Sequence, residues 1–98
     1  IIKRLKEYDI NPLVVDPWAN PDEAKKEYNV ELINLEEIND LDCVVLAVAH
    51  NEFKALSWEQ IDAMYKKDIG MNEKILIDVK GLRDLKETQK LGYRYWRL

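Results

Sequence analysis

Val44-Val45-Leu46-Ala47-Val48-Ala49-His50-Asn51-Glu52-Phe53 (44–53) is an apolar run that stops at the only histidine of the chain. Nothing polar interrupts it before His50, and its first residues are β-branched. That is the pattern of a short strand covered on both faces, rather than the alternation of a strand with one wet face. Working outward, Ile75-Leu76-Ile77-Asp78-Val79 has the same character, whereas Tyr93-Arg94-Tyr95-Trp96 alternates and reads as an edge strand. Upstream, Leu13-Val14-Val15 predicts another short strand, closed by Asp16-Pro17.

Helix-start signals lie between these runs. Asn20-Pro21-Asp22-Glu23 offers a cap, a proline at the first helical position and a carboxylate to complete a capping box. Asn34…Glu37, Ser57…Gln60 and Asp84…Glu87 repeat the pattern, each beside apolar residues. Strands separated by helices imply parallel crossover units, hence an α/β fold with a mostly parallel sheet and helices on both sides.

Composition bounds what this fold serves. Ninety-eight residues, 47% hydrophobic and 35% charged, suit one soluble domain over 1–98. The longest apolar stretch, Cys43–Ala49, is far short of the roughly 20 residues that span a bilayer, so no membrane partner is expected. A net charge of −4 argues against nucleic acid as a partner. One cysteine makes no internal disulfide, which fits a reducing, cytoplasmic setting. Ile1-Ile2-Lys3-Arg4-Leu5 begins already in helical rhythm, with no methionine and no cap, and reads as a chain cut within a helix of something longer.

In an open parallel sheet, ligands bind beyond the carboxyl ends of the strands. Three segments are expected on that rim: Asp16-Pro17-Trp18-Ala19, Ala49-His50-Asn51-Glu52-Phe53 and Asp78-Val79-Lys80-Gly81. Together they offer carboxylates, an imidazole, a lysine, an indole and a glycine, a mixture suited to a ligand with a flat ring and negative groups. Lys80 would meet a phosphate as a point charge, and Gly81 would permit close backbone approach. Each has a plainer reading. Asp16-Pro17 serves equally as a turn, His50 as a cap on the following helix, and Lys80 as a solvated lysine. A metal site is not expected, because no second His or Cys stands at ligand spacing. Cys43 precedes the strand, away from the rim, with no base or dipole to activate it, and reads as a small buried hydrophobe. Trp58, Met64 and Tyr65 read as a core-facing stripe. The glycines stand at 70, 81 and 92, so no glycine-rich phosphate loop joins a strand to a helix within the chain.

The succession VVDPWA (14–19), DCVVLAVAHNEF (42–53), ILIDVKG (75–81) and YRYWRL (93–98) resembles the C-terminal, UDP-binding domain of the UDP-glucose/GDP-mannose dehydrogenase family. AVAHNEF and DVKG are closer to its UDP-N-acetylhexosamine branch. The UDP-glucose branch more usually has tryptophan at position 50 and glycine-arginine at 79–80. The resemblance implies a Rossmann-like three-layer domain whose first strand lies upstream of Ile1. It further implies an NAD-dependent 6-dehydrogenase oxidising a UDP-sugar C6 hydroxyl to a carboxylate for surface-polysaccharide synthesis, in a homo-oligomer. The catalytic cysteine, its helpers and the NAD loop of that family match no position here, so the chain alone is expected to be inert. Lys80 matches the family's basic position facing the site. With it, Gly81, Asp78, His50 and Asp16 are the expected substrate-binding residues. The alternative is a non-catalytic receiver-like or subunit-interaction module, with Asp16 and Asp78 as its acids and the aromatic edge of Tyr93, Tyr95 and Trp96 as its contact.

Overall fold

A computed structural model describes residues 2–97, so the parts of the sequence reading that fall on Ile1 and Leu98 lie outside the described residues. The chain forms two compact units, divided between Ile38 and Asn39.

In the first unit, α1 (Ile2–Glu7) is followed by an extended segment and α2 (Pro21–Tyr28). Asn20 starts α2 as expected: its side-chain oxygen accepts from Asp22 N at 2.9 Å and Glu23 N at 3.2 Å, with Pro21 at the first helical position. Asn29 ends the helix in the left-handed conformation, at φ 54°. Lys6 Nζ donates to the carbonyls of Tyr28 and Asn29 at 2.8 and 2.7 Å, where cations complement a helix end. The strand expected at Leu13–Val15 is reduced to a single parallel bridge, Val14 to Leu32. Leu13, 54% exposed, does not contribute a buried face.

The second unit holds the sheet. Strands β1 (Cys43–Leu46), β2 (Ile75–Asp78) and β3 (Arg94–Arg97) pair parallel in the order β1-β2-β3. The register places Val45, Ile77 and Trp96 in one row and Leu46, Asp78 and Arg97 in the next. β3 is an edge, as its alternation predicts. Helices α3 (Asn51–Lys54), α4 (Trp58–Asp62) and α5 (Leu85–Leu91) lie in the connections. Ser57 and Gln60 form the full capping box at α4, and Asp84 caps α5 by accepting from Glu87 N at 2.9 Å. The fourth candidate start fails. Asn34 leads only into a 3-10 turn, Leu35–Glu37, and its side chain donates to Glu37 Oε1 at 3.0 Å instead of capping backbone.

Val44, Leu46 and Leu76 share the buried face of the sheet, joined in the core by Phe53, Leu56, Ile61, Met64, Tyr65 and Tyr93. Trp58 is half-buried, its ring 5.1 Å from that of Tyr93. The opposite face departs from the expectation of strands covered on both sides. Val45 is 40% and Trp96 52% exposed, and Ile77 between them is half-buried. An apolar run on β1 therefore signals a strand with a second apolar face, not one whose second face is packed within these residues.

Candidate functional site

Asp78 ends β2 with its side chain wholly buried. A buried carboxylate is tolerable only when its oxygens are satisfied, and these are. Oδ1 accepts from Leu82 N at 2.9 Å, and Oδ2 accepts from Arg83 N at 2.9 Å and from the Tyr95 hydroxyl at 2.7 Å. Burial pushes the Asp78 carboxyl up, but the hydrogen bonds from Leu82, Tyr95 and Arg83 outweigh it and hold the group below the usual aspartate value. Burial, together with the same pairing, pushes the Tyr95 phenol up to about 12. Asp78 is thus an anchor: it bends residues 79–83 back over the strand end and ties them to β3.

That loop carries Lys80 and Gly81. Lys80 is exposed at its crest. Gly81 has φ 66°, a conformation glycine adopts without the cost other residues meet. Its missing side chain also matters, because a Cβ there would lie 2.7 Å from Arg97 Nη2. Arg83 turns inward instead. Its Nη2 donates to the Phe53 carbonyl at 3.1 Å, its guanidinium lies 5.0 Å from the centre of the Trp58 ring, and its Nε is buried without a hydrogen-bond partner. Burial lowers its pKa. Trp58 Nε1 in turn donates to Glu87 Oε1 at 2.9 Å, linking the loop to α4 and α5.

His50 stands at the carboxyl end of β1, in the N-cap position of α3. Its side chain makes no cap bond, but its carbonyl accepts from Phe53 N and Lys54 N at 3.0 and 3.1 Å, and its ring lies 5.5 Å from that of Phe53. The parallel strands therefore place His50 and the Asp78–Gly81 segment at the same end of the sheet. Asp16 lies in the first unit, where the turn reading describes it well. Its Oδ1 accepts from Trp18 N at 3.0 Å and its carbonyl from Ala19 N at 3.3 Å.

Cys43 begins β1 at the opposite end, half-buried, with its thiol pushed up by burial and by the charge of Asp42. A raised thiol is a poor nucleophile. Among the described residues no group of three or more His, Cys, Asp or Glu side chains is placed to hold a metal ion, and no helix is long and apolar enough to cross a membrane. The second unit's groove of about 550 Å³, lined by Tyr65, Lys66 and Lys67 among others, also sits toward the amino end of β1. What the carboxyl end offers is a loop anchored through Asp78 with an exposed cation on it, suited to holding an anion. It presents no nucleophile.

Sequence reasoning missed Tyr95, Arg83 and Arg97 as parts of this arrangement. Alternation put Tyr95 and Arg97 on one face of β3, but only the pairing register reveals that this is the face of Asp78.

The profile of the UDP-glucose/GDP-mannose dehydrogenase family, UDP binding domain, matches residues 1–85. A Pseudomonas aeruginosa UDP-N-acetyl-D-glucosamine 6-dehydrogenase is 36% identical over 86% of this chain and 19% of its own length. Protein CapL of Staphylococcus aureus is 36% identical over 100% of the chain and 22% of its own length. A Methanococcus vannielii UDP-N-acetyl-D-mannosamine dehydrogenase is 34% identical over 96% of the chain and 20% of its own length. The chain thus spans about a fifth of the length of these curated relatives. No solved structure matches it.

Proposed function

The chain belongs to the UDP-glucose/GDP-mannose dehydrogenase family, and from that premise we propose that it is the C-terminal nucleotide-sugar-binding part of an NAD-dependent UDP-sugar 6-dehydrogenase. The substrate is a UDP-N-acetylhexosamine, whose C6 hydroxyl is oxidised to a carboxylate for surface-polysaccharide synthesis by a cytoplasmic homo-oligomer. The observation that carries this reading is the Asp78-anchored loop, which presents Lys80 at the carboxyl end of a parallel strand. There Lys80 pairs with the nucleotide's phosphate, Gly81 lets the backbone approach it, and His50 shapes the neighbouring wall. Asp78 binds substrate only indirectly, because its own oxygens are occupied by the protein.

NAD accepts the hydrides when bound, and the residues described here do not fit it. β1 leads through Ala47, Val48 and Ala49 to α3 without a glycine, leaving no turn for a dinucleotide's pyrophosphate. We assign the cofactor and the catalytic thiol to the remainder of the protein, so this chain alone is expected not to reduce NAD⁺.

The test uses the full-length protein with NAD⁺ and a panel of UDP-sugars, following NADH absorbance, for wild type and Lys80→Ala. Turnover of a UDP-N-acetylhexosamine, with KM raised roughly tenfold or more by the loss of one charged contact, is the expected result. Unchanged KM in Lys80→Ala places the phosphate elsewhere, and no turnover with any sugar removes the dehydrogenase reading. A receiver-like role is disfavoured because Asp78, one of the two acids it would use, is buried with both oxygens hydrogen-bonded to the protein.

A further inference from the structure

Gly81 and Arg97 occupy each other's space. A Cβ on Gly81 would lie 2.7 Å from Nη2, 3.0 Å from Nε and 3.2 Å from Cζ of Arg97, so the guanidinium rests where a side chain of residue 81 would be. Arg97 is the last residue of β3, in register with Asp78, and is exposed. It reaches sideways from the edge strand onto the loop that carries Lys80. The other cation of this loop, Arg83, is spent inward on Phe53 and Trp58. Two exposed cations therefore remain at this loop, Lys80 on it, a point charge, and Arg97 against the neighbouring Gly81, a planar fork.

We propose that Arg97 is a second phosphate-binding residue, its guanidinium holding one phosphate of the nucleotide's diphosphate while Lys80 holds the other. This rests on the nucleotide-sugar reading above and adds a residue to it. A guanidinium presents paired N–H donors that match two phosphate oxygens at once, whereas an ammonium is satisfied by one phosphate in any orientation. With Arg97 against the Gly81 backbone, the fork is oriented before ligand arrives, so less side-chain freedom is lost on binding. Glycine at 81 is then demanded twice, by its backbone conformation and by the cation lying on it.

The experiment is titration of the full-length protein with UDP by calorimetry, and with uridine by saturation-transfer NMR, for wild type, Arg97→Gln and Arg97→Lys. Loss of a charged, two-point contact weakens UDP about 10- to 100-fold in Arg97→Gln, leaves uridine unchanged, and gives Arg97→Lys an intermediate affinity. UDP affinity unchanged in Arg97→Gln overturns the proposal while wild-type UDP binding keeps the nucleotide reading intact. An equal loss for uridine and UDP also overturns it, since that is the signature of a purely structural role. Failure of wild type to bind UDP removes the nucleotide reading itself.

Discussion

A buried carboxylate is costly unless every oxygen finds a donor, and Asp78 finds three, from Leu82, Arg83 and Tyr95. Replacing it by asparagine keeps the shape but turns one acceptor into a donor facing another donor. Asp78→Asn is expected to destabilise the chain by about 2–4 kcal/mol, read by urea unfolding at neutral pH. The pH dependence follows from the depressed carboxyl. Its stabilisation is complete above the ordinary aspartate value of 3.8 and is lost as the pH falls from there through the lower folded value. The stability gap between wild type and Asp78→Asn should therefore narrow only in that acid range; a gap already closing at pH 6 would contradict the assignment. This residue also marks a limit of sequence reading. Its position at a strand end was legible in the run ILIDVKG, but its role was not. A free carboxylate at a rim and one consumed by its own loop look alike until the loop's N–H groups are placed.

Local signals decide elements only where the following residues can continue them. Ser57…Gln60 and Asn34…Glu37 carry the same start pattern. The first yields a reciprocal capping box with Gln60 N to Ser57 Oγ at 3.1 Å and Ser57 N to Gln60 Oε1 at 2.8 Å. The second ends after one 3-10 turn, because extended Ile38 and left-handed Asp40 (φ 59°) leave no room for a second. Ser57→Ala should therefore cost about 1 kcal/mol in thermal or urea unfolding, while Asn34→Ala stays within about 0.5 kcal/mol. Equal effects from the two would mean that both capping side chains matter alike. β1 and β2 were legible for a related reason, since β-branched and apolar runs favour extended backbone and a buried face, whereas β3 was legible from its alternation. Leu13–Val15 has the same composition but a single bridge to Leu32, and composition alone does not supply a neighbour.

Across the whole molecule, lateral order was the least legible property. Strand spacing along the chain says nothing of which side chains meet across a sheet, so the Gly81–Arg97 contact and the Tyr95–Asp78 bond emerged only with the register. The same register lines up Val45, Ile77 and Trp96 on a partly open face, between two strands that are both edges of the described sheet. Apolar faces and open edges invite pairing with other chains. Sedimentation of the 98-residue chain should show concentration-dependent association that Val45→Glu reduces while leaving the circular dichroism spectrum intact; association unchanged by that substitution would place the contact elsewhere. Finally, Trp58 touches the Tyr93 ring, bonds Glu87 and lies beside Arg83, whose own backbone is pinned to Asp78 in the loop that presents Lys80. That chain of contacts makes the indole a built-in optical gauge of the loop. With Trp18 and Trp96 changed to phenylalanine, the emission of the one remaining indole in this chain should report each arrival and departure of an anion at the strand end, with no dye attached.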